Sequence, residues 1–202
     1  VGSSILSIVD CGSVPGCGYV PYDDEGTRAR KNYLIKNGIL AGRLHSAQTA
    51  VALDEALTGN ARATDCTFEP IVRMTSTWIA GGTDTFESLL RGAEGGDLDF
   101  DQLIAPIKKG YFIKTINHGS GMSTFTIAPS LAYEIVDGKL GRPVQISVLT
   151  GSVFETLGLI DGLTRDVHLL SIVTGGCGKM EQMNLPVGLG GPYVRVSSMN
   201  VQ

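Results

Sequence analysis

The sequence predicts an α+β fold dominated by antiparallel sheet, curled into a barrel-like core with a few flanking helices. Three observations carry this. First, 27 glycines punctuate short runs of β-branched and aromatic residues, the pattern of many strands with tight connections. Second, glycine-bearing turn signals fall between paired runs. Third, helical segments are few, and no strand–helix–strand rhythm or repeat period recurs, which argues against a parallel sheet.

The elements follow in order. Ser4 to Asp10 reads as a strand. Asn32 to Ile35 and Ile39 to His45 flank Lys36-Asn37-Gly38, and Asn-Gly supplies the positive φ of a type I′ hairpin. Ser46 caps a helix in which Ala50, Leu53, Ala56 and Leu57 share a face, and Gly59 ends it. Val72 to Ile79 alternates as one strand. Asp84 with Glu87 forms a capping-box pattern ahead of Leu89 and Leu90. Asp101 to Lys108 is a short helical candidate that contains Pro106. Tyr111 to Asn117 and Ser123 to Ala128 flank a turn in HGSGM. Leu131 to Val136 and Val144 to Leu149 flank the turn DGKLGRP. Ser152 with Glu155 repeats the capping box ahead of Leu157 and Ile160. Val167 to Val173 leads into a turn around Cys177, and Tyr193 to Met199 closes as an alternating strand.

At 202 residues and 43% hydrophobic content, the chain can bury one good core. A net charge of −4, with 18% charged residues and no basic run, gives no footprint for direct nucleic-acid contact or for a membrane surface. No apolar stretch is long enough to span a bilayer. The chain opens on Val1, not Met, and shows no charged n-region ahead of an apolar h-region there, so no signal peptide is expected. A chain that opens in a strand-like pattern reads as one domain, residues 1–202, of a longer protein. Four cysteines in a chain of this size favour reduced thiols and a cytoplasmic location. Cys11 and Cys17 lie too far apart for a zinc-ribbon pair and read as ordinary thiols.

No nucleophile elbow, phosphate loop or dinucleotide fingerprint occurs. Gly188-Leu189-Gly190-Gly191 precedes Pro192 and a strand, so it offers no helix N-terminus to an anion. His45, His118 and His168 form no paired zinc motif and read as surface or packing residues. Asp23-Asp24-Glu25 reads first as a solvated turn, with a hard-cation or acid/base site as the alternative. In GGCGKMEQMNLPVG, Cys177 can be a metal ligand, a nucleophile, half of a disulfide, or a thiol without a chemical role. A cysteine nucleophile lacks a recognisable His/Asn partner pattern.

Four ordered stretches carry a family resemblance. They are YDDEGTRARKNYLIKNGILAGRLHS (Tyr22 to Ser46); TGNARA (Thr58 to Ala63) with EPIVRMTSTWI (Glu69 to Ile79); LAYEIVDGKLGRPVQISVLTGS (Leu131 to Ser152); and GGCGKMEQ (Gly175 to Gln182) followed by Gly190-Gly191-Pro192. Together they resemble the C-terminal domain of the TldD/PmbA proteins, long labelled candidate modulators of DNA gyrase and understood as zinc metallopeptidases. The resemblance implies that Cys177 matches the cysteine of that family's CGK turn. In the TldD-like branch this cysteine joins two histidines of an HExxxH helix in holding zinc, whose bound water the motif's Glu deprotonates. It also implies that Lys179 lies near the thiol, that the substrate is a peptide, and that the protein pairs as a homodimer or as a heterodimer with a PmbA-like subunit. A non-catalytic dimerisation or scaffold module is the alternative. The chain departs from the family in having Glu181 where glycine is common, in one extra residue at Met183-Asn184-Leu185, and in lacking HExxxH. These 202 residues alone are therefore expected to be inactive.

Overall fold

The computed structural model describes residues 1–80 and 98–202. Fifteen strands are numbered in chain order: β1 Ser7–Asp10, β2 Asn32–Lys36, β3 Ile39–Leu40, β4 Ala61–Arg62, β5 Ile71–Val72, β6 Ser76–Ala80, β7 Lys109–Gly121, β8 Thr124–Val136, β9 Lys139–Val144, β10 Leu149–Ser152, β11 Ile160–Leu163, β12 His168–Lys179, β13 Gln182–Gly191, β14 Val194–Val196 and β15 Asn200–Val201. The helices described are α1 Ala47–Leu53, α2 Phe100–Ile104 and α3 Val153–Gly158. The sequence-predicted capping pair Asp84 and Glu87 lies outside the described residues.

The strands form a six-stranded sheet, β12-β13-β6-β1-β2-β3, and a second sheet, β15-β10-β8-β7, in which β9 also pairs with β8. Two short pairs, β11-β14 and β4-β5, complete the set. The expected antiparallel dominance is observed, but the barrel is not: among the described residues neither sheet closes on itself. One junction, β13 with β6, is parallel, so the larger sheet is mixed.

The larger sheet is covered on both faces, and the period-2 alternation of β1 and β6 shows how. Val9 opposes Trp78 and Ile8 opposes Ile79. Val9, Trp78 and Ala80 pack with Cys11 and Val14 on one side. Ile8 and Ile79 face Leu6, Ile160 and Leu163 on the other. The second sheet has its own core of Ala132, Ile146 and Leu149. An edge-on aromatic group ties α2 to it, with Phe100 4.9 Å from Phe112 and 5.2 Å from Tyr193 between ring centres.

Turn chemistry set most strand ends. Asn37 and Gly38 have φ of 50° and 77°, the expected I′ geometry, and Asp137 and Gly138 repeat it at 47° and 73°. Only Asp137-Gly138 makes the second turn, so the rest of DGKLGRP is β9. The HGSGM hairpin also forms, but its turn falls at Met122 and Ser123, and His118 to Gly121 extend β7. The run Ile39 to His45 pairs only at Ile39–Leu40.

Other boundaries moved where side chains supplied the backbone's partners. The Val72 to Ile79 run breaks between β5 and β6, where the Arg73 carbonyl accepts from Asn60 Nδ2 at 3.1 Å and Thr75 N–H donates to Asp10 Oδ2 at 2.9 Å. Helix α1 has the Ser46 cap but stops at Asp54, in the left-handed region at φ 51°, well before Gly59. Helix α2 opens one residue earlier than expected, on a capping box of Asp99 and Gln102, and ends before Pro106. Helix α3 starts after Ser152 without a side-chain cap bond. The Tyr193 to Met199 run shortens to β14, and β15 follows beyond it.

Candidate functional site

Cys177 sits within β12, ahead of the turn and not on it as the sequence predicts. The turn itself is Met180-Glu181, with φ of 48° and 65°. Glu181 therefore holds a left-handed backbone, where glycine is unstrained and a side chain costs about 1 kcal/mol.

The pairing around Cys177 is irregular on both sides. Lys179 opposes Gln182 and Cys177 opposes Leu185, so two steps on β12 match three on β13. The surplus residue is absorbed at Asn184, at φ 62°, as a β-bulge. Toward the other end, Ile172 opposes Val187, so five steps on β12 match two on β13. Gly176 has φ 130°, and a Cβ there would fall 2.1 Å from Leu185 O; no other residue fits. Bulges bend a strand and re-aim its side chains. The thiol that results is free and half-buried.

Behind this bulge lies a polar clamp that sequence reasoning missed. The buried Arg73 guanidinium donates through Nη2 to Cys177 O, while its Nε and Nη1 have no partner among the described residues. Arg62 is buried beside it, donating to Met74 O at 2.7 Å and to Pro186 O at 3.0 Å. Burial first, then the Arg73 charge, push the Arg62 guanidinium below its ordinary value, opposed by Asp24, Asp10 and Cys177. Buried Gln182 accepts from Thr64 N at 3.0 Å and donates to Glu69 O at 3.0 Å. Lys179 Nζ donates to Val72 O at 3.0 Å, so its recorded hydrogen bond goes to the backbone. The β12-β13 tip is thus bound to the β4-β5 hairpin from several points.

Arg73 is in turn fixed by a buried hub. Its carbonyl accepts from Asn60 Nδ2 at 3.1 Å, and the same amide donates to Asp10 Oδ1 at 2.8 Å. Fully buried Asp10 also accepts from Thr75 Oγ1 and Thr77 Oγ1, each at 2.6 Å. No local signal marked it: in the alternating run VRMTSTWI, Arg73 falls with Thr75 and Thr77 on the face opposite Val72, Met74 and Trp78.

The acidic turn has a structural role. Asp23 is buried and accepts from Glu25 N, Thr27 N and Ala61 N at 3.1, 2.8 and 3.0 Å. Asp24 accepts from Ala63 N and Glu25 from Ala47 N, both at 2.7 Å. The three carboxylates diverge, each satisfying a different segment's backbone. Of the histidines, His45 is buried, with Nδ1 3.1 Å from Thr49 Oγ1 and Nε2 2.7 Å from Glu55 Oε2. His118 lies exposed in β7 and His168 starts β12. Among the described residues no three His, Cys, Asp or Glu side chains converge to hold a metal. Cys177 is a reachable soft donor that fits one position of a zinc site.

Over residues 1–202 the sequence matches the family model of the PmbA/TldA metallopeptidase C-terminal domain. The chain belongs to this family. Among PmbA/TldA relatives, a metalloprotease of Synechocystis sp. is 39% identical over 99% of this chain and 40% of its own length. A metalloprotease TldD homologue of Haemophilus influenzae is 32% identical over 100% of the chain and 39% of its own. A zinc metalloprotease TldD homologue of Saccharolobus solfataricus is 28% identical, with 100% and 42% covered. The PmbA/TldA fold is shared with TldE of Thermococcus kodakarensis, at TM-score 0.70 and 18% identity over 99% of this chain and 40% of that one. It is shared too with a Thermotoga maritima protein described as a candidate modulator of a DNA gyrase, at TM-score 0.68 and 20% identity over 100% and 40%. The chain spans about 40% of the length of these relatives.

Proposed function

We propose that these residues form the C-terminal domain of a TldD-like zinc metallopeptidase acting on peptides, and that Cys177 is one of its metal ligands. The observation that supports this most is a free, half-buried thiol in a β12-β13 ladder that is irregular on both sides of it, in a chain whose relatives are named metalloproteases. In this reading two histidines and a general-base glutamate come from outside the 202 residues. Bound zinc supplies Lewis acidity and a water acidic enough to act as nucleophile. Cys177 Sγ contributes the thiolate, and the clamp behind it keeps that sulfur from moving away from the metal.

The protein is read as cytoplasmic and as a homodimer or a heterodimer with a PmbA-like subunit. Direct nucleic-acid contact and membrane association are not part of the reading; no described helix is long and apolar enough to cross a membrane. A dimerisation or scaffold role is favoured as the second reading by the β7-β8 hairpin, which exposes Tyr111, Ile116 and Met122.

The test is Cys177→Ala in the polypeptide that carries these residues. Zinc per chain and peptide turnover are expected to fall at least about tenfold as one of three ligands is lost. The melting temperature should move by only a few degrees, for a half-buried side chain leaves little cavity. Normal zinc and turnover in this variant would leave the scaffold reading.

A further inference from the structure

We propose that Arg73 is a positioning residue for Cys177: its buried guanidinium holds the cysteine's carbonyl oxygen and thereby sets the direction of the thiol. This rests on the reading of Cys177 as a metal ligand. The sheet itself does little to fix this residue, since the ladder is irregular on both sides of the Cys177–Leu185 pair. Its neighbours Gly176 and Gly178 add no side chains to wedge it in place. Arg73 Nη2 reaches the Cys177 carbonyl from across the β4-β5 hairpin, 104 residues away in sequence. Arg62 grips the opposing strand at Pro186 O, next to Leu185. Buried guanidinium groups therefore hold Cys177 itself and the residue that follows its partner Leu185.

A space-filling role does not account for Arg73. Two of its three side-chain nitrogens are fully buried with no partner among the described residues, which costs several kcal/mol that an apolar side chain of similar volume avoids. What the arginine gains is the bond to Cys177. Its own backbone is pinned at both ends by Asn60, through N–H to Asn60 O at 2.8 Å and C=O from Asn60 Nδ2 at 3.1 Å. Asn60 is anchored on Asp10 at the centre of the larger sheet. Asp10, Asn60, Arg73 and Cys177 thus form one rigid line from the sheet centre to the thiol.

The experiment measures iodoacetamide alkylation of Cys177 relative to Cys17, resolved by peptide mass, in metal-free native polypeptide. Variants Arg73→Met and Arg73→Lys are compared with Val187→Ala, a cavity control in the same sheet. Releasing the carbonyl should raise the Cys177/Cys17 rate ratio about fivefold or more in Arg73→Met and by a smaller factor in Arg73→Lys. Val187→Ala, though destabilised, should stay within about twofold of wild type. If Arg73→Met does not fold, Arg73→Lys alone decides. A ratio within about twofold of wild type in the folded Arg73 variants overturns the proposal, as does an equal rise in Val187→Ala. Cobalt loading separates this from the ligand reading. The thiolate-to-cobalt band should vanish in Cys177→Ala and weaken in the Arg73 variants. A band that persists in Cys177→Ala overturns the ligand assignment, whereas the alkylation ratio is read without metal.

Discussion

At Asp10 a fully buried carboxylate survives because every contact is a donor: the Asn60 amide, the Thr75 N–H and hydroxyl, and the Thr77 hydroxyl. Asp10→Asn turns one acceptor into a donor amid donors, and is expected to cost about 3 kcal/mol, read as a lower urea midpoint. Glu55 makes a pH prediction. The His45 hydrogen bond holds its carboxyl below the ordinary value, with the Arg43 charge helping and partial desolvation opposing. A folded value below the unfolded one adds stability at pH above the ordinary carboxylate range, and that stability is lost as pH falls through the folded value. Glu55→Gln should flatten the fall in melting temperature between about pH 5 and about pH 3. Sequence alone could mark Cys177 through its glycine-flanked motif, but not Arg73. A guanidinium in an alternating strand looks the same whether it points to water or to a distant carbonyl, and its partner here lies 104 positions on.

Elements were legible wherever the turn residue dictated the geometry. Asn37-Gly38 and Asp137-Gly138 each impose a positive-φ pair; the first hairpin turns where expected, while the second turns tightly, so its return strand begins at Lys139 rather than Val144. Gly138 has a second constraint, since a Cβ there would fall 2.5 Å from Ala105 O. Gly138→Ala is therefore expected to destabilise by about 2 kcal/mol, measured by denaturant titration, with α2 loosening first because Ala105 caps it. Elements were misread where backbone groups turned to side-chain partners. The β5-β6 break depends on the Asn60 and Asp10 side chains, neither of them local, and the irregular β12-β13 ladder on positive-φ backbone at Gly176 and Asn184. The extra residue in Met183-Asn184-Leu185 was visible in the sequence, but its absorption as a bulge at Asn184 was not.

For the whole molecule, hydrophobic alternation predicted a sheet-rich fold correctly and its closure incorrectly. Closure depends on register and strand tilt, and local pattern fixes neither. The split into two sheets with separate cores and one parallel junction came from long-range pairing. All four cysteines are free, with burial raising the Cys11 thiol above its ordinary value. Thiol titration of denatured, unreduced protein should count four; a count of two would show a bridge. Residues 1–202 purified alone should hydrolyse no peptide, with or without added zinc, as they carry one proposed ligand; chelator-sensitive hydrolysis would overturn that.

The parallel junction has a consequence for how the chain is made. Residues 76–78 on β6 wait for residues 188–190 on β13, so the ribosome must release more than a hundred intervening positions before the larger sheet can be completed. Until then β6 carries a raw edge, open to pairing with other nascent chains. Folding is expected to be slow for the chain's length, as closing such a distant contact costs entropy before it returns any. The strand bearing Cys177 reaches the sheet through β13 alone. It is therefore among the last to dock, and the thiol takes up its final position only after the scaffold beneath it has set.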